Sequence, residues 1–154
     1  MNLYNILPSA IIGIISSLIA AYFSSKWAVS KFYKERWWER KDKAYEELIN
    51  ALYDLLQFCE IEKSNYGEPT QYNDDKYNEI VKGYSDGIWK IKKISAIQNY
   101  YYSNNVCRIL EELNNRPVLE WNENPPWEIY ESEYIAYKSA LSKIINYAKK
   151  DLSK

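Results

Sequence analysis

The chain contains no histidine. That single absence removes Ser-His-Asp and Cys-His catalysis, imidazole-ligated metals and imidazole pH switching together. Two cysteines, Cys59 and Cys107, are too few for a thiolate cluster or a disulfide framework. Both fall in apolar helical stretches, which predicts a pair of reduced, buried thiols. With only four glycines among 154 residues there is no phosphate-cradling P-loop and no G-x-G-x-x-G turn. Strand-like alternation of useful length is missing as well. The acidic pairs Glu46-Glu47 and Glu111-Glu112 are neighbours on helices and point apart, so neither forms a spaced acid and base. Together these gaps argue against an enzyme, and no cofactor or metal is expected.

Charge is missing where it matters most. The first 25 residues carry none, and the next 18 carry ten charged side chains. Lys26, Lys31, Lys34, Arg36, Arg40, Lys41 and Lys43 stand against Glu35, Glu39 and Asp42, so residues 26–43 hold +4 and the remainder −5 of the net −1. From Ile6 to Phe23 the sequence is almost continuously apolar, long enough to cross a bilayer core as a helix. A cleaved signal peptide would need a basic n-region, a shorter apolar run and a small-x-small cleavage site, and these are lacking. A buried core helix would not need the abrupt charge switch or the flanking Tyr22, Phe23 and Trp27. The pattern therefore predicts a transmembrane anchor over 1–25, a basic juxtamembrane helix over 26–43 and a cytoplasmic domain over 44–154. The positive-inside rule places the N-terminus outside and the domain in the cytoplasm. A basic patch beside an apolar span suits anionic lipid head groups better than nucleic acid.

Within the apolar run, small residues recur every fourth position at Ser9, Gly13, Ser17, Ala21 and Ser25, with a second row at Ser16, Ala20, Ser24 and Ala28. This spacing puts each set on one helix face and lets another backbone approach, so self-association is expected.

No glycine or proline occurs between Gly13 and Gly67, which predicts one helix running on into the domain and ending near Lys63. Tyr45, Leu48, Leu52, Leu55 and Cys59 form its apolar stripe, widened by Ile49 and Leu56. A second helix should start at Asn73-Asp74-Asp75 with Tyr77, Ile80, Val81, Tyr84, Ile88, Ile91 and Ile94 as its stripe. Gly83 and Gly87 interrupt it, marking close packing or a soft point. A short third helix follows a cap at Ser103, with Val106, Ile109, Leu110 and Leu113, and stops at Asn114–Pro117. After a loop at Asn122–Pro126, a last helix carries Tyr134, Tyr137, Leu141, Ile144 and Ala148. The expected fold is all-α: an N-terminal transmembrane helix continuing into a small cytoplasmic antiparallel bundle of about four helices.

Residues 36–56, with Trp37-Trp38-Glu39-Arg40-Lys41 followed by Ala44-Tyr45, resemble small bacterial single-pass membrane proteins that carry W-W-E-[RK]-K, then A-Y and a helical tail. The resemblance reaches more weakly to Ser103 and the closing YAKKDL, covering most of the chain. It implies a bacterial inner-membrane topology and a helical architecture, and it transfers no catalytic residue.

Trp37 and Trp38 sit among cations, where they could contact lipid or stack a nucleotide base together with Lys26, Lys31, Lys34, Arg36, Arg40 and Lys41. Trp37 lies about three turns beyond Lys26, deep for an interfacial belt, so one ring is expected to pack in the bundle and the other to cover its membrane-proximal end. Burial of alternate rings is expected for Tyr100-Tyr101-Tyr102. The leading functional expectation is a non-enzymatic, self-associating membrane effector or signalling subunit whose cytoplasmic domain senses a protein partner or small ligand. Small membrane proteins of this general design serve bacterial antiviral systems, which is analogy at the level of architecture. The alternatives are a passive anchor or scaffold recruiting a cytoplasmic partner, and a nucleotide-binding membrane effector.

Overall fold

The structure, a computed structural model, describes residues 3–65 and 73–153, with side chains from residue 13 onward. The described residues form four helices and no strand: α1 (Leu3–Ser64), α2 (Asp74–Tyr101), α3 (Asn104–Asn114) and α4 (Pro126–Leu152). The chain divides into two compact units, Met1–Arg40 and Lys41–Lys154.

Helix ends follow local chemistry. α1 closes at Ser64 with Lys63 in its last turn, where a cation meets the negative helix end, within a residue of the expected stop. The Asn73 side-chain oxygen accepts the Lys76 N–H at 3.1 Å, and Asp74 and Asp75 occupy the first turn of α2. Tyr102 turns extended after α2 while its N–H still donates to the Gln98 carbonyl at 3.0 Å. Ser103 does occupy the cap position of α3, but its hydroxyl makes no capping hydrogen bond. α4 begins on Pro126, where the missing N–H costs nothing, and ends with Lys149 and Lys150 in its last turn.

In the first unit every described side chain from Gly13 to Arg40 is exposed. Among the described residues no helix is long and apolar enough to cross a membrane. The span expected over Ile6–Phe23 is helical throughout but is described by side chain only from Gly13, so the side chains of residues 6–12, Ser9 among them, lie outside the description. The expectation that one of Trp37 and Trp38 packs in the bundle is corrected. They are 40% and 42% exposed, and neither belongs to the core. The core's first fully buried side chain is Tyr45, two turns further on.

The second unit is an up-down-up-down bundle. Glu62 of α1 meets Tyr77, Leu55 meets Gly87 and the Ala44 carbonyl meets Tyr102, so α2 runs back along α1. Ser95 with Asn114 and Gln98 with Glu111 pair α2 and α3 antiparallel. Lys63 with Glu131, Phe58 with Tyr130 and Tyr45 with Asp151 lay α4 antiparallel to α1. The expected stripes close the core. Tyr45, Leu48, Leu52, Leu55 and Cys59 are at most 1% exposed, and Val106, Leu110 and Ile144 are fully buried. Val81, placed on the α2 stripe by its spacing, is instead exposed. Gly87 marks close packing, because a Cβ there would stand 3.0 Å from the Ala51 carbonyl oxygen, whereas Gly83 has ordinary room beside Asp54. Both cysteines are free and buried.

Candidate functional site

The second unit contains a cleft of about 300 Å³ between the middle of α2, the residues after α3 and the start of α4. Arg116 anchors it. This residue follows α3 at the point where Pro117 forbids further helix, which turns its side chain back toward α4. Its Nη1 donates to the Leu113 carbonyl, and Nη2 donates to the Glu133 carboxylate and, at 3.1 Å, to the Tyr137 hydroxyl. The guanidinium also lies 5.0 Å from the Tyr137 ring centroid. The side chains of Arg116 and Glu133 are 21% and 13% exposed, so this ion pair is largely withdrawn from water. Arg116 Nε is buried with no acceptor among the described residues.

Aromatic side chains continue from this pair. Tyr84 stacks on Phe58 with centroids 4.2 Å apart, Phe58 meets Tyr130 edge-on at 5.8 Å, and Tyr130 meets Trp121 edge-on at 5.5 Å. Tyr84, Tyr130 and Trp121 face the cleft, with Ile88, Ile129 and Val118 supplying aliphatic wall. Lys92 and Asn114 add a cation and an amide.

Burial, then the charge of Glu133, pushes the Cys59 thiol up to about 12, against the opposing pull of Arg116. Burial, then Cys59 and Glu133, pushes the Tyr84 phenol up to about 12. Burial, then its hydrogen bond to Glu133, holds Tyr137 well above the ordinary phenol range. Burial lowers the affinity of Arg116 for its proton, but Tyr137 and Glu133 outweigh it and the net shift is upward. Each shift holds its proton in place at pH 7, leaving Cys59, Tyr84 and Tyr137 neutral and Arg116 charged, so the cluster is built to donate hydrogen bonds rather than to exchange protons. The Cys59 sulfur, fully buried and protonated, is no nucleophile.

None of the sequence-predicted site residues lines this cleft. Gly13, Ser17, Ala21 and Ser25 lie exposed in the first unit, and an added Cβ at Gly13 would meet nothing within 4 Å. The hydroxyls of Ser16 and Ser17 return to the carbonyls of Gly13 and Ile14 at 3.0 and 2.8 Å. Lys26, Lys34 and Arg40 are exposed, Lys31 pairs with Glu35 at 3.7 Å, and Arg36 lies over the Phe32 ring at 5.3 Å. Lys41 belongs to the second unit, where its ammonium donates to the Asp151 carbonyl at 3.3 Å beside the Tyr45–Asp151 hydrogen bond. The three consecutive tyrosines form a gradient rather than an alternation: Tyr100 is exposed, Tyr101 half-buried and Tyr102 buried with its hydroxyl on the Ala44 carbonyl at 2.6 Å.

Glu133 and Tyr137 are one turn apart on α4, Arg116 joins them only through the fold, and periodicity marks Tyr137 alone, as a core residue. A signal for Arg116 does exist. From Glu111 to Glu133 it is the one basic residue among seven glutamates. A lone cation in an acidic stretch is held either for a structural partner or for a ligand. No family model, curated protein or solved structure matches this chain.

Proposed function

We propose that this protein is a non-enzymatic, membrane-anchored effector or signalling subunit that self-associates through its apolar helix and senses a partner or ligand with its cytoplasmic bundle. One observation carries the proposal. Ten large apolar side chains between Ile14 and Tyr33 are 51–76% exposed. Left in water they would form an apolar surface far beyond what soluble monomers display. A helix apolar on most of its circumference is covered by protein or by lipid, and the first unit contains only this helix among the described residues.

Two details support lipid as the cover. Ser16 and Ser17 satisfy their hydroxyls on their own helix, as an apolar surround demands. The cations begin at Lys26, directly after the apolar run, where anionic head groups and the positive-inside rule favour them. The second unit, by contrast, has a closed core and a cleft whose chemistry suits recognition.

Topology tests this directly. The chain should stay with membranes through alkaline carbonate washing, a C-terminal GFP fusion should fluoresce and a C-terminal alkaline phosphatase fusion should be inactive. Release by carbonate would remove the anchor, and an active phosphatase would reverse the orientation.

A further inference from the structure

The cleft beside Arg116 is more than a packing gap, because its components are mismatched in a way that a ligand would resolve. Arg116 keeps a buried Nε–H with no acceptor among the described residues, so its hydrogen-bonding capacity is not used up by Leu113, Glu133 and Tyr137. The cleft's charged groups are Lys92 and Arg116 against Glu133, an excess of one positive charge. Glu133 is already committed, taking hydrogen bonds from Arg116 and Tyr137. Lys92 has no carboxylate partner among the described residues and lies 5.3 Å from the Trp89 ring. Trp121, although it lines the cleft, is 58% exposed, and Val118 beside it is 60% exposed. An indole and an aliphatic side chain left in water at the mouth of a cationic cleft are contacts waiting for a flat apolar surface. The volume, about 300 Å³, is at the small end for ligand clefts.

We propose that this cleft binds a small planar aromatic anion, its ring lying against Trp121 and Tyr130 and its acidic group met by Arg116 and Lys92. The inference rests on the reading of the second unit as a sensing domain and names the chemistry of what is sensed. The acidic group can be a carboxylate or a phosphate, and both present the acceptor oxygens that Arg116 and Lys92 require. The aromatic ring excludes aliphatic acids of the same size, which cannot exploit the faces of Trp121 and Tyr130.

The test uses the full chain purified in detergent, titrated calorimetrically with indole-3-acetate, a purine nucleoside monophosphate, neutral indole and cyclohexanecarboxylate, with detergent alone as the blank. At least one aromatic anion should bind with a Kd below about 1 mM, and the non-planar acid and neutral indole should bind at least about tenfold more weakly. Which aromatic anion binds identifies carboxylate or phosphate as the source. Trp121→Ala and Lys92→Gln alter exposed positions, so circular dichroism and melting should be unchanged while each weakens binding about tenfold. Binding by neither aromatic anion would overturn the proposal, as would equal binding in wild type and both variants, or equal binding of the non-planar acid. Membrane fractionation of the same chains separates the two readings: a chain that stays in the membrane and binds no aromatic anion refutes the cleft and leaves the anchor standing.

Discussion

Removing the guanidinium of Arg116 would leave Glu133, only 13% exposed, with Tyr137 as its remaining hydrogen-bond partner. An uncompensated, largely buried carboxylate is expensive, so Arg116→Met should destabilise the fold by about 3 kcal/mol. Pairing it with Glu133→Gln removes the orphaned charge, and the double variant should be more stable than the sum of the two single effects predicts. Denaturant unfolding of all four proteins measures this, and strict additivity would mean the pair does not interact. Titration makes a second residue-scale prediction. Burial pushes Cys59 and Tyr84 up to about 12, above the ordinary thiol and phenol ranges. The folded state therefore holds these protons after the unfolded chain has released them. Their contribution is fully present below about pH 9 and is lost as pH rises toward 12. The melting temperature should fall over that window, and Cys59→Ala should make the fall shallower.

At the scale of the helix, stripes were legible because the α-helical period makes burial a matter of spacing. The run Tyr45, Leu48, Leu52, Leu55 and Cys59 was readable as one face and is buried as one face. Val81 was misplaced because three- and four-residue spacing also admits the edge of a stripe, and an edge position is covered only if a neighbour reaches it. Trp37 and Trp38 make the same point: aromatic character marks a residue that can be buried, and both stay outside the core. In α1 the small residues lead to a test of mechanism. Gly13→Ile and Ser17→Ile keep or raise hydrophobicity, so membrane insertion should persist. They would remove the close helix approach of the proposed assembly, worth about 1–2 kcal/mol per helix pair. Cross-linked species in membranes should diminish together with activity if the protein acts by assembling. A passive scaffold would tolerate both changes.

For the whole molecule, the division after Arg40 predicts that residues 41–154 fold without the apolar helix. The core side chains from Tyr45 to Ala148 all lie inside this segment. The isolated segment should give a helical circular dichroism spectrum and a cooperative melt. Leu52→Asp, placing an unpaired charge at a fully buried position, should abolish both, since several kcal/mol is comparable to the whole stability of a small domain. A strand-dominated or disordered wild-type spectrum would refute the bundle.

The amino-acid sequence by itself determined the helices, their approximate ends and most of the faces that become core, since propensity, capping and periodicity act over a few residues. It also determined that the first 25 residues carry no charge and that cations follow at once, a property of composition that needs no fold. Only the tertiary structure decided that Arg116, Glu133 and Tyr137 share one partly buried network beside Trp121 and Tyr130. Glu133 and Tyr137 stand one turn apart on α4, as the helical period requires, but no local rule brings Arg116 to them from the connection after α3. Their meeting depends on how helices pack across the bundle, where Pro117 stops α3 and the start of α4 returns past it. Side chains separated along the chain acquire a joint chemistry only when packing excludes water from between them, and that is settled by the closed bundle.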